Sequence, residues 1–359
     1  MREIEFDPRM IGMVAALGVI WLGFNWLSDG AFLTPRNLWN LLVQTASIAV
    51  MACGMVLVIV TRNIDLSVGS MLGFVGMVVG LVQARLLPEL LGFEHPATWF
   101  ISILVSVALG GIEGAIGTGP SWAIGLVICA LILAGIVLAR RRRRHFGFGL
   151  RPVWAEGAIA ALGCGAVLGT VMVANAYPLP AGVARRLVEA RGLVWPEGGL
   201  TIGHGLAVPV LLALAVGIVM SFLTKRLRFG RYVFAIGGNP EAAQLSGVNT
   251  RKVLTLVFGL MGVLVGISAC ISTARLNAAT NSAGALDELY VIAAAVIGGT
   301  SLGGGVGTIA GAMLGALVMQ SLQSGMVLIG VDTPLQNIVV GVVLVVAVWL
   351  DGLYRRKLS

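Results

Sequence analysis

Lys225-Arg-Leu-Arg-Phe-Gly-Arg-Tyr-Val-Phe-Ala-Ile-Gly-Gly-Asn-Pro-Glu-Ala-Ala-Gln-Leu-Ser-Gly-Val-Asn-Thr-Arg-Lys252 is a polar island set between two apolar runs, 204–223 and 253–274. Each flank comes close to the roughly 20 apolar residues that a helix needs to cross a bilayer. Further runs of this kind lie near 10–28, 38–61, 66–84, 97–118, 122–139, 154–176 and 335–350. They are continuous rather than alternating, which speaks against a transmembrane β-barrel. In hydrocarbon a helix satisfies its backbone within itself, so the runs read as spanning helices.

Composition agrees. Hydrophobic residues make up 58% of the chain and charged residues 11%, against about 25% charged in a soluble domain. The expected fold is an all-α polytopic membrane protein with about nine to eleven transmembrane helices, forming a single transmembrane domain over 1–359. The charged start, residues 1–9, runs into a long apolar stretch without a small-residue cleavage site, and reads as an uncleaved anchor. The formal net charge of +8 gathers beside the apolar runs at 140–144, 225–231, 251–252 and 355–357. Such clusters face the cytoplasm under the positive-inside rule. The arginines at 140–144 flank a span and lack interleaved aromatic readers, so nucleic acid is not the expected partner; the lipid membrane is.

Catalytic chemistry has no foothold. Cys53, Cys129, Cys164 and Cys270 are isolated in apolar runs, and His95, His145 and His204 are scattered. No metal site and no cofactor are expected. A Gly-x-x-x-x-Gly-Lys-Ser/Thr phosphate loop is missing from the sequence, so the chain is not expected to hydrolyse ATP.

Two further stretches carry information. Gly303, Gly307, Gly311 and Gly315 recur every four residues. On a helix they would form one stripe along which another backbone approaches closely. The run Gly298-Gly-Thr-Ser-Leu-Gly-Gly-Gly305 interrupts any helix. Residues 289–329 therefore read as one broken or re-entrant element, two short spans around an irregular break at membrane depth. In Thr61-Arg-Asn-Ile-Asp-Leu-Ser-Val-Gly-Ser70, Asp65 and Ser67 precede an apolar run. They either cap its first turn or touch a gating region or substrate path. Ser268, Ser272 and Thr273 share one apolar run, where they either line a path or bond back to their own helix.

Parity exposes an irregularity. Counted from a cytoplasmic C-terminus, both the island and 140–144 lie inside. Counted from a cytoplasmic N-terminus, the fifth run, 122–139, places those arginines outside. One span is missing, or one run does not cross. Loop 178–203 has an amphipathic look that suggests a short surface helix.

The segments at 63–70, 230–247 and 296–307, with Thr34-Pro-Arg-Asn-Leu-Trp-Asn-Leu41 and Ala347-Val-Trp-Leu-Asp351, resemble the membrane subunits of bacterial ABC importers for monosaccharides. This is the ribose/xylose/galactoside permease group. The extra pair at 122–176, with its arginine-rich connector, is similar to the longer xylose-type members, which implies D-xylose as the sugar. One departure stands out. Where the family carries an Asn-Gly turn, a basic loop and a span starting near Pro-Ser-Phe-Ile, Leu109-Gly110 runs into Gly111-Ile-Glu-Gly114. An internal deletion near 110 would explain the parity failure.

The resemblance implies an inner-membrane permease subunit, without an ATPase site of its own, in an ATP-driven importer. Its partners would be a cytoplasmic ATP-binding subunit, a periplasmic sugar-binding protein and a second permease copy in a homodimer. Residues 225–252 would be the cytoplasmic coupling segment. Gly230, Arg231, Asn239, Glu241, Ala242, Ala243 and Gly247 would meet the ATP-binding subunit there. Asn239, Pro240 and Glu241 read independently as a helix start, with a stop near Gly247. Two rival readings are an ion-coupled secondary sugar transporter, for which Asp65 and Glu113 are the tempting residues, and a truncated permease that no longer transports.

Overall fold

The computed structural model describes residues 8–81, 118–145, 152–178, 181–190, 205, 207–276, 278–280 and 282–356. The junction at 109–114, including Glu113, lies outside them, as does most of the run at 97–118. Thirteen helices are described. The chain divides into two units, one formed by Met1–Pro8 with Gly111–Val208 and the other by Arg9–Gly110 with Pro209–Ser359.

In the first unit, α4 (Thr118–His145) packs against α5 (Val153–Ala176). Arg140 near the end of α4 pairs with Glu156 in the first turn of α5. Higher in the pair, the thiols of Cys129 and Cys164 each donate to the other's carbonyl, at 3.8 and 3.9 Å. All four cysteines are free. The amphipathic helix expected within 178–203 is α6 (Ala181–Ala190), which buries Ala184 and Val188 and exposes the Arg185–Glu189 pair.

The second unit holds α1 (Pro8–Leu27), α2 (Pro35–Val60), α3 (Val68–Leu81), α7 (Val208–Arg226), α8 (Arg228–Gly238), α9 (Pro240–Leu245), α10 (Thr250–Leu276), α11 (Asp287–Ile297), α12 (Ile309–Leu328) and α13 (Thr333–Arg356). At its centre is α2, started by Pro35 and by the Thr34 hydroxyl, which accepts the Asn37 amide. From Ile48 to Val60 it is apolar on all sides, and every residue from Thr45 to Val60 is buried. Helices α10, α11 and α12 pack around it, α3 lies on α10, and α13 covers α11. An all-round apolar helix belongs in the middle of a bundle.

Among the described residues, five helices are long and apolar enough to cross a membrane: Pro35–Val60, Val153–Val173, Val208–Arg226, Thr250–Leu276 and Ile309–Leu328. Shorter apolar helices are Gly12–Leu27, Val68–Val78 and Thr333–Trp349. The fold is therefore an all-α polytopic membrane protein.

The glycine-rich element breaks as expected, into α11 and α12 around residues 298–308. One expectation is corrected. The stripe of four glycines does not form, because Gly304 and Gly305 take φ of +83° and +74°, left-handed values that end a right-handed helix. Gly303 and Gly307 thus belong to the connection, and only Gly311 and Gly315 lie on α12. The break touches Val60, the last residue of α2, and lies against Gly237 and Gly238 of the polar island.

The glycines that remain on the helix act as the packing argument requires. A Cβ on Gly311 would collide with the Gly298 carbonyl, and one on Gly315 with the Ala294 carbonyl. The matches 298 to 311 and 294 to 315 run in opposite senses, so α11 and α12 form an antiparallel hairpin. At 11 residues, α11 rises only about 16 Å. Gly315→Ala should lower the thermal unfolding midpoint of the purified protein in detergent, by an amount corresponding to about 1–3 kcal/mol of overpacking. Gly259→Ala, where nothing lies within 4 Å, should leave it unchanged or raise it by up to about 1 kcal/mol of helix propensity.

Candidate functional site

The island folds into two helices. α7 ends with Lys225 and Arg226 in its last turn, Leu227 is extended, and α8 starts at Arg228. Gly230 is buried where a Cβ would run into the Thr224 carbonyl. Its part is to let α8 leave α7 at a sharp corner, rather than to present a surface. α8 is amphipathic: Val233, Ile236 and Gly237 face inward, while Arg228, Arg231 and Tyr232 are exposed. A helix of this kind lies along a membrane surface. Sequence reasoning named its basic residues and missed its regularity.

α9 follows at once. Asn239 ends α8, its N–H donating to the Ala235 carbonyl, and starts α9, its Oδ1 accepting the Ala242 N–H at 3.0 Å. Pro240 takes the first position and Glu241 the first turn, the side favoured by the positive helix end. Beyond Ser246, Gly247 turns at φ +86°. The Val248 amide then reaches back to the Ala243 carbonyl at 3.1 Å. Glycine is the residue suited to that position. Glu241, Ala242, Gln244 and Leu245 are exposed, and Ala243 is buried. Leu245, at 89% exposure, is the large apolar side chain on the tip.

A second feature joins this surface to the bundle. Arg62 follows the end of α2 with φ +64°, a conformation that costs a non-glycine residue roughly 1–2 kcal/mol. From there its Nε donates to the Gly237 carbonyl and its Nη2 to the Gly238 carbonyl, both at 2.8 Å. A cation at a helix C-terminus satisfies free carbonyls and opposes the negative dipole end. The Gly305 N–H donates to the Val60 carbonyl at 3.0 Å. A Cβ on Gly237 would collide with that carbonyl and with the Gly305 amide, and one on Gly304 with the Arg62 side chain. Thus α2, α8 and the break in α11–α12 meet at backbone contact. The sequence showed Arg62 beside Asp65 but carried no sign of its target 175 residues away.

The remaining candidates separate. Asp65 Oδ1 accepts both the Ser67 amide at 3.0 Å and its hydroxyl at 2.6 Å, a local turn just before α3 of the capping kind. Ser268 is fully buried, and its hydroxyl meets that of Ser47 on α2 at 2.5 Å; Ser272 reaches the same hydroxyl at 2.9 Å. Thr273 bonds back to the Ala269 carbonyl at 2.9 Å. These three hydroxyls belong to α10, and Ser268 and Ser272 link it to α2. Sequence reasoning missed a row of neutral polar groups nearer the start of α2. There Gln320 donates to Gln44 and Gln323, both at 2.9 Å, and Ser324 to Asn37 at 3.2 Å. Spacings of seven and three in Asn37, Gln44 and Ser47 were the available signal. Among the described residues no group of three or more His, Cys, Asp or Glu could hold a metal.

Loss of the Asn239 cap tests the site's geometry. Asn239→Ala should destabilise α9 by about 0.5–2 kcal/mol. Amide hydrogen exchange over 240–246 should speed up while α10 keeps its protection.

Comparison with known proteins adds a family. The sequence model of the family described as "Branched-chain amino acid transport system / permease component" matches residues 37–348. The chain is 37% identical to the xylose transport system permease protein of Escherichia coli K12, over 98% of this chain and 94% of the relative. It is 36% identical to the xylose transport system permease protein of Haemophilus influenzae, over 96% of each. Identity to the ribose import permease protein of Escherichia coli K12 is also 36%, over 89% of this chain and 87% of the relative. No solved structure matches the chain.

Proposed function

Given that the chain belongs to this family of transport-system permease components, we propose that it is the membrane subunit of an ATP-driven importer of a neutral monosaccharide, with D-xylose as its substrate. It is a multi-pass protein of the inner membrane. The observation that supports the sugar is the nearly full-length similarity to two xylose permeases. The ribose permease aligns over a smaller share of the chain. A neutral sugar also suits the uncharged amides and hydroxyls of Asn37, Gln44, Gln323 and Ser324, which offer hydrogen bonds without a buried charge.

The mechanism rests on the exposed face of α9. Glu241, Ala242 and Leu245 stand clear of the bundle on a helix held at both ends by its own caps. A cytoplasmic ATP-binding subunit would take this face into a groove. Its closure on ATP would rock the attached helices between outward and inward states. The chain supplies no hydrolysis itself. A periplasmic sugar-binding protein delivers the sugar on the other side, and a second permease copy completes the path as a homodimer. The chain acts as a single permease domain with 225–252 as its coupling segment. The alignment with the Escherichia coli xylose permease runs over 377 positions against 359 residues here, so it carries gaps in this chain, as the internal deletion proposed near 110 would require.

Reconstitution decides between this reading and its rivals. Proteoliposomes holding the chain with an ATP-binding subunit and a xylose-binding protein should accumulate xylose only with internal ATP. Uptake driven by an ion gradient and abolished by an ionophore would instead support a secondary transporter, and no uptake under either condition a truncated permease. Glu241→Lys should leave ATP hydrolysis in place and cut uptake per ATP by about tenfold; unchanged uptake would exclude α9 as the coupling element.

A further inference from the structure

The contact of Arg62 with the end of α8 goes beyond a surface helix docking on a partner. Where a push on α9 would be delivered, three segments distant in sequence share one small volume. Val60 ends the central helix, Gly237 and Gly238 end α8, and Gly304 and Gly305 form the break. Asn239 caps α8 and α9 together, so the two helices move as one piece. Beside the apolar packing of Val233, Ile236 and Ala243, the Arg62 guanidinium ties that piece to the end of α2 with two hydrogen bonds of 2.8 Å.

We propose that Arg62 is a positioning residue of the transport cycle, a clasp that makes the central helix α2 and the break in α11–α12 follow the coupling helices. The inference rests on the functional reading above and adds the route by which the motion enters the bundle. Three observations carry it. First, the left-handed backbone at Arg62 places an arginine where glycine would be cheapest, which is tolerated when the side chain has a task. Second, the fork of the guanidinium bonds two successive carbonyls at once, a geometry that the single-headed ammonium of lysine does not reproduce. Third, the junction is tightly packed: a Cβ on Gly307 would meet both the Val60 and the Thr300 side chains, so the break has little room to stay behind when the end of α2 moves. Coupling between distant sites is carried by contiguous packing and hydrogen bonds of this kind.

The experiment compares the wild-type chain, Arg62→Ala and Arg62→Lys in the reconstituted system, reading xylose uptake per ATP hydrolysed and the amount of assembled complex. Arg62→Ala should assemble as the wild type does and keep its ATPase activity, yet move about tenfold less sugar per ATP. Arg62→Lys should recover part of the loss. An unchanged ratio would overturn the proposal. So would a variant that assembles poorly but transports normally per complex, since the residue would then be only structural. A second measurement needs no transport: hydrogen exchange on the purified chain. Arg62→Ala should raise exchange at the α8 C-terminus and across 299–308 together. Exchange confined to α8 would overturn the clasp even if the wild-type chain took up no sugar, an outcome that would separately reject the importer reading.

Discussion

At residue 237 the backbone of α8 lies against the carbonyl of Val60 with no side chain between them, and the Gly305 amide bonds to the same carbonyl. Similar contacts recur where Gly298 meets Gly311 and where Ala294 meets Gly315. The organisation of the larger unit depends on this kind of approach. Helices surrounded by lipid gain little by hiding apolar side chains from one another, because the tails are as apolar as leucine. What remains is close packing, and packing is tightest where a side chain is absent. Glycine placed at the crossing points therefore does in this bundle what leucine does in a soluble core.

That constraint also explains the short helix. α11 rises only part of the way across and turns back into α12 through a loop of left-handed residues. Such a loop exposes backbone groups, and lipid would not tolerate them. Here they meet protein: the Ser301 amide bonds to the Val306 carbonyl and the Gly305 amide to Val60. Because the loop lies at the end of α2, the island and the break share one face of the unit. On the proposed mechanism, that placement would bring the break within reach of a force delivered to α9.

The sequence was most readable where local chemistry decides structure. Asn239, Pro240, Glu241 and Gly247 announced α9, and the caps have the expected bonds. The broken element was legible in its glycine run, as was the short amphipathic helix at Ala181–Ala190. The stripe through Gly303 and Gly307 failed because spacing alone does not report φ, and Gly304 and Gly305 are left-handed. Of the expected coupling residues, Gly230 and Ala243 proved to be buried, since a match to a motif does not say which face a residue occupies. Arg62 and the Gln44–Gln320 pair were invisible for another reason. Their partners are more than 170 and 270 residues away, and no periodicity encodes a contact of that range.

Helix α9 has a thermodynamic consequence of its own. A segment of six residues is far too short to be helical in isolation, since nucleation is costly and propagation brief. Here the caps at Asn239 and Gly247 and the buried Ala243 have met that cost within the chain. Whatever surface receives α9 has no ordering to perform, so binding draws only on the few side chains that protrude. Preorganisation of that kind lets a small contact area bind more tightly than it would if the helix had to form on contact.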